Sequence, residues 1–323
     1  MKPMIHVENL VKTFKGNVQA VKGVSFDVEE GEFFSFLGPN GAGKSTTIQM
    51  ITTLLKPTSG RAEIAGFDVM SEPEHIRRVI GVALQETGID PQLTARELLE
   101  IQGRLFGFQS SVARKRADEL LELVGLTEDA HRKCGKYSGG MRRRLDLALT
   151  LVQRPKVLFL DEPTTGLDPY NRKLIWEEIR SLNKEKGTTI FLTTQYLEEA
   201  DELADRISII NEGKIVASGT QDNLKASIGK DVIDLVFTTE EEAMRASKSL
   251  ARLAGDKKHT GPELRLFVEK GTTKLPEIIR LLDQESITPI TLNVSPPSLD
   301  DVFLNLTGHS IQSEKLKREE AYA

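Results

Sequence analysis

The stretch GPNGAGKST, Gly38–Thr46, lies between the apolar run EFFSFL (Glu32–Leu37) and the helix-like STTIQMITTLL (Ser45–Leu55). A strand, a glycine-rich loop and a helix in that order are the context that the pattern G-x-x-x-x-G-K-[ST] requires. Gly38, Gly41 and Gly43 free the backbone, Pro39, Asn40 and Ala42 fill the loop, and Thr46 continues into the helix. Backbone N–H groups arranged this way curl around phosphate oxygens, and the helix N-terminus adds a favourable dipole. Lys44 is then expected to reach β- and γ-phosphates, and the Ser45 hydroxyl to hold Mg²⁺.

A second stretch supports the first. In KVLFLDEP, Lys156–Pro163, four apolar residues read as a buried strand that delivers Asp161 and Glu162 at its carboxyl end. The expected roles are Asp161 organising Mg²⁺ through water and Glu162 taking a proton from an attacking water. Alone, such a pair is more often a helix cap and its neighbour. A phosphate loop upstream reverses that preference.

Working outward, EFFSFLG, RVIGVALQ, PKVLFLDEP, TTIFLTTQ and RISIINEG alternate with helical stretches, the pattern of an α/β fold with a largely parallel sheet. Between Thr94 and Gln153 the strands vanish, and ARELLEIQGRLFGF, VARKRADELLELVGL and GGMRRRLDLALTLVQ read as helices. The expected organisation is a nucleotide-binding domain over 1–219 with a helical subdomain inserted at about 90–153, then a small α+β domain of β-α-β-α-β order over 220–309, then a polar tail, 310–323.

Composition narrows the function classes. The apolar content of 39%, with 25 glycines besides, suffices for a packed core. A net charge of -5 argues against nucleic-acid binding driven by bulk charge. Cys134 is the only cysteine, which excludes an internal disulfide and fits a reducing compartment. The first residues lack the apolar region of a leader peptide, and no stretch approaches the roughly 18 apolar residues of a membrane span. Any membrane work therefore requires another chain.

A third piece, YSGGMRRR (Tyr137–Arg144), puts the Ser138 hydroxyl and the unobstructed N–H groups of Gly139 and Gly140 at a helix start, a further anion site. Here the residues resemble the ATP-binding subunits of ABC transporters, in which SGG lies between the phosphate loop and the DE strand. That resemblance implies an ABC-type P-loop NTPase core, with Gln85 in GVALQE matching the Q-loop, close to Mg²⁺, Asp168 in GLDP the D-loop, and Phe14 the ring that stacks on adenine. PPSLDDVFLNLTG near the end extends the likeness to the daunorubicin/multidrug-resistance type with its accessory C-terminal domain. The family implies ATP and Mg²⁺, a cytoplasmic homodimer with each phosphate loop facing the partner's SGG, and a separate membrane permease docking near Gln85–Phe108. The chain is thus expected on the inner face of the cell membrane as an exporter's ATPase, with drug or antibiotic efflux implied and no direct nucleic-acid partner.

LTTQYLEEAD, Leu192–Asp201, is itself similar to the daunorubicin/multidrug-resistance type, but it departs from most ABC ATPases in carrying Gln195 where they have histidine at a strand exit. A glutamine amide can donate a hydrogen bond to a γ-phosphate but carries no proton or charge. A positional role survives and an acid–base role does not; the bland alternative is that Gln195 caps the next helix. Two further function classes stay open at this point: a soluble ABC-type ATPase acting on nucleic acid or ribosomes, and a weakly hydrolysing nucleotide-dependent regulator. Arg142, Arg143 and Arg144 are expected to be solvated or dimer-facing, Trp176 to be packing, and the five histidines show no metal-ligand spacing.

Overall fold

A computed structural model describes residues 2–85, 88–229, 231–253, 256–269 and 271–307. The polar tail expected over 310–323 lies outside the described residues. The chain divides into two compact units, changing over at Thr220/Gln221.

In the first unit, an antiparallel sheet of order β2-β1-β4-β5 comprises β1 (Ile5–Phe14), β2 (Val18–Val28), β4 (Ser59–Ile64) and β5 (Phe67–Asp68). A second sheet, of order β10-β9-β3-β8-β7-β6, comprises β3 (Phe33–Leu37), β6 (Ile80–Ala83), β7 (Val157–Asp161), β8 (Thr189–Thr194), β9 (Arg206–Asn211) and β10 (Lys214–Gly219). Its strands are parallel except β10, which pairs antiparallel with β9. Every residue of β3, β7 and β8 is buried, as central strands covered on both faces must be. Phe26 of β2 joins Phe34, Phe36 and Phe191 at ring-centroid distances of 5.5 to 5.6 Å, fusing the two sheets around one aromatic core.

Helices of this unit are α1 (Lys44–Ile51), α2 (Pro73–Val79), α3 (Ala95–Leu105), α4 (Ser110–Leu123), α5 (Gly139–Thr150), α6 (Pro169–Lys186) and α7 (Leu197–Leu203). Thr94 and Glu97 cap α3 reciprocally, which satisfies two of its orphan N–H groups. The three helices α3 to α5 fall where the 3.6-residue periodicity places them, between β6 and β7. Parallel order brings the carboxyl ends of β3, β7 and β8 to one edge of the sheet, where ligands bind in such folds.

The second unit holds α8 (Gln221–Ile228), β11 (Asp231–Val236), α9 (Glu240–Ser249), β12 (Asp256–Thr260), β13 (Glu263–Val268), α10 (Gly271–Gln284), β14 (Thr291–Ser295) and α11 (Leu299–Thr307). Its antiparallel sheet has the order β12-β13-β11-β14, one strand more than the sequence reading gave. Ile233, Leu235, Leu264 and Leu266 form a core with Ala243 and Ala246 of α9 and Ile278 and Leu282 of α10. On the opposite face, alternation brings Arg265 to Asp234 (2.6 Å) and to Asp301 of α11 (2.9 Å).

Candidate active site

Gly43 is the N-cap of α1 at φ 108°, and a Cβ there would fall 2.7 Å from the Ala20 carbonyl oxygen, so only glycine fits. The loop before it curls around Lys44. This buried ammonium donates to the carbonyls of Gly38 (2.8 Å) and Pro39 (3.0 Å). Its third partner is Glu162 Oε1 at 3.0 Å, with side-chain exposures of 3% and 5% for the pair. At that burial, removing either member strands the other's charge, a cost of about 3–5 kcal/mol.

Strand β7 ends at Asp161, which is 2% exposed. Its Oδ1 accepts from Ser45 Oγ at 3.2 Å and from the hydroxyl of Thr193 on β8. Glu162 follows with φ 48°, a left-handed conformation that costs an L-residue roughly 1–2 kcal/mol. Its N–H donates to the Thr193 carbonyl at 3.0 Å, continuing the parallel ladder one residue past the strand.

Gln195 leaves β8 and brings Nε2 to 3.5 Å from Glu162 Oε2, a long hydrogen bond, while the Thr165 hydroxyl donates to the same oxygen at 3.3 Å. Gln195 is not the cap of α7; that position is Tyr196, whose N–H is taken by Thr194 Oγ1 at 2.9 Å. Behind these turns, Oε1 of the fully buried Glu199 accepts from Thr164 Oγ1 and from Trp176 Nε1, each at 2.8 Å. Burial pushes the Glu199 carboxyl up, toward the neutral acid. Trp176 therefore packs and also ties α6 to α7, a bond that helical spacing alone does not reveal.

The remaining sequence-derived residues form other groups. Ser138 caps α5, accepting from Met141 N at 3.2 Å. A Cβ on Gly140 would lie 2.7 Å from Asn171 Oδ1, so the glycine turn packs closely on the start of α6. Asn171 in turn donates its N–H (3.0 Å) and Nδ2 (2.6 Å) to Asp168, and these bonds hold the Asp168 carboxyl below its ordinary range. Ser138, Gly139 and Asp168 are exposed, so the SGG turn and the aspartate present one outward surface. Phe14 ends β1, 43% exposed, with Lys12 Nζ 5.3 Å from its ring centroid. Gln85 is an exposed bend just after β6.

One expectation is corrected. Arg142 is exposed and Arg144 half-buried, but Arg143 is neither solvated nor dimer-facing: it is buried, its guanidinium bonded to the main-chain carbonyls of Leu84 and Pro163, just past β6 and β7. Desolvation would defeat a free cation there, and Asp146 at 3.1 Å together with the carbonyls compensates it. The signal was available, because Arg143 shares the i, i+4 and i+7 face of Gly140, Leu147 and Thr150, all buried.

A phosphate loop, a neighbouring strand ending in two carboxylates and a buried lysine between them define a P-loop nucleoside-triphosphatase. Residues 21–165 match the family model for ABC transporters, and residues 219–307 match that for the DrrA1-3-like ATP-binding protein C-terminal domain. The daunorubicin resistance ATP-binding protein DrrA2 of Streptomyces coeruleorubidus is 45% identical over 97% of this chain and 98% of that protein. The Nod factor export ATP-binding protein I of Burkholderia lata is 40% identical over 95% and 98%. A solved ATP-binding cassette, a dimeric post-hydrolysis state bound to ADP and Pi, superposes with a TM-score of 0.62 at 30% identity over 67% of this chain and 98% of that one. The chain belongs to the family of ABC transporter ATP-binding proteins. It binds ATP and is an ATPase of that family.

Proposed function

We propose that this chain is the engine of a drug or antibiotic exporter, working as a homodimer on the inner face of the cell membrane against a separate permease. Support for the dimer is the exposed surface of Ser138, Gly139 and Asp168, and the dimeric cassette among its solved neighbours. Support for the drug class is the daunorubicin resistance relative, although a similar relative is named for Nod factor export. Among the described residues no helix is long and apolar enough to cross a membrane. A groove of about 380 Å³ lined by Val82, Leu84, Gln102, Phe106, Asp146 and Leu149 suits a short partner helix.

The observation that carries the catalytic reading is Lys44 held against Glu162 beside Asp161 and Ser45. Lys44 exchanges its carbonyl partners for β- and γ-phosphate oxygens, and Phe14 stacks on adenine. Ser45 and Asp161, hard oxygen donors already converging at 3.2 Å, fit Mg²⁺, and Gln85 is the third residue assigned to that ion on the family likeness. When bound, that ion supplies charge neutralisation at the phosphates. Glu162 takes the proton of the attacking water, and Gln195, already on the Glu162 carboxylate, donates to the γ-phosphate and keeps the base in register. Ser138, Gly139 and Gly140 of each protomer close the other's site, and Asp168 lies across the seam.

The test is sedimentation of purified Glu162→Gln with and without Mg-ATP, with co-purification of the wild type from membranes and from ribosomal fractions. An ATP-dependent dimer and recovery with an integral membrane protein agree with the proposal. A chain that stays monomeric with ATP, or that co-purifies with RNA and not with membrane protein, refutes it.

A further inference from the structure

We propose that Arg143 is a positioning residue for hydrolysis: it fixes Glu162 by holding the main chain on both sides of it, and links that segment to the strand leading into Gln85. The inference rests on the reading of Glu162 as the general base. Arg143 Nε donates to the Pro163 carbonyl at 2.7 Å and Nη2 to the Asp161 carbonyl at 3.2 Å. Nη1 donates to the Leu84 carbonyl at 2.8 Å and to Asp146 Oδ2 at 3.1 Å. One planar fork thus spends its donors on three backbone carbonyls and one carboxylate.

The positions of those carbonyls give the arrangement its meaning. Asp161 and Pro163 flank Glu162, whose φ of 48° is a conformation that a non-glycine residue keeps only where its surroundings over-determine it. The Thr193 carbonyl fixes the Glu162 N–H, and Arg143 fixes the carbonyls on either side. The side chain is left aimed at Lys44, where a substrate phosphate would enter. Arg143 itself touches none of these reacting groups.

The same guanidinium has two inputs. It stands on α5, which Ser138 caps and Gly139 and Gly140 begin, so a shift of that helix reaches Glu162 through one side chain. It also grips Leu84, the residue before Gln85, and pairs with Asp146; both line the groove suited to a partner helix. Burial raises the Asp146 carboxyl to about 6 and lowers the Arg143 guanidinium, which marks how little water screens the pair. Closure of the glycine turn and occupation of the groove therefore both bear on the base through Arg143.

The experiment measures steady-state ATP hydrolysis and ATP affinity of the full chain for wild type, Arg143→Lys, Glu162→Gln and the double variant, with folding checked by melting. Lysine keeps the charge and bulk, but its three N–H groups cannot serve four acceptors. The expected result is a loss in kcat of about tenfold or more for Arg143→Lys, with KM and affinity within about threefold, and no further loss on top of Glu162→Gln. Overturning results are a kcat within about twofold of wild type, a fall in affinity as large as the fall in kcat, or the same loss repeated in the Glu162→Gln background. Wild-type turnover by Glu162→Gln would sink the general-base reading and this proposal together. A slow Glu162→Gln beside an unimpaired Arg143→Lys would sink this proposal alone.

Discussion

Glu199 offers a perturbation whose size can be worked from the contacts. Its Oε1 is the common acceptor for the Thr164 hydroxyl and the Trp176 indole, each at 2.8 Å, and the side chain is fully buried. Glu199→Leu removes that acceptor and leaves two buried donors unpaired, at about 1–3 kcal/mol each. Added apolar burial by leucine returns part of this, for a net loss of about 2–4 kcal/mol. For a unit of this size that is a fall in melting temperature of about 5–15 °C. Glu199→Gln retains a carbonyl oxygen in the same place, so it stays within about 1 kcal/mol of wild type at low pH. The two then separate with pH. Burial raises the folded-state pKa of Glu199 above its ordinary 4.5, so the folded chain binds the extra proton. The stability this confers is complete below the unfolded value and is lost as pH rises through the folded one. Glu199→Gln has no such proton, and its stability relative to wild type rises over that window. Trp176 is the only tryptophan, so urea or thermal unfolding followed by its fluorescence reports the unit that contains the site. Equal stability of Glu199→Leu and wild type, or a glutamine variant as weak as the leucine one, would refute the reasoning.

Two further outcomes are expected. Lys44→Ala abolishes ATP binding, read by titration with a fluorescent nucleotide, and costs about 3–5 kcal/mol because Glu162 is left buried without its cation; tight binding by the variant would contradict the role of the loop. Phe191→Ala, which opens a hole among Phe26, Phe34, Phe36 and Phe159, lowers stability by about 3–5 kcal/mol in urea unfolding; a change under about 1 kcal/mol would deny the aromatic core its weight.

The residues legible in the sequence were those whose spacing is dictated by backbone geometry. Gly43 must accept φ 108°, and the apolar run of β7 must be followed at once by carboxylates, so both wrote themselves into short motifs. The antiparallel sheet was not legible. Strand β1 pairs with β2 through several register shifts and carries Asn9 at φ 46°, which breaks the alternation that betrays a half-buried strand. Strand β12, DKKHT, is polar throughout and owes its place to backbone pairing with β13. Arg143 was hidden in a run of three arginines, because a charge run reads as a solvated face unless the helix phase is followed from Gly140 to Thr150. The Lys44–Glu162 and Glu199–Trp176 pairs join residues far apart in the chain, and only the parallel strand order brings them together.

The central claim is that Glu162 acts as base while Gln195, an uncharged amide beside it, contacts the γ-phosphate. Phosphate release from Mg-ATP by wild type, Glu162→Gln, Gln195→Ala and Gln195→His, with and without co-expressed membrane partner, tests it most directly. The account predicts turnover by wild type, a loss of about 10²-fold or more in Glu162→Gln, and a marked loss in Gln195→Ala. A wild type that is inert even with its partner, and gains turnover only as Gln195→His, would contradict it and make the chain a nucleotide-binding switch.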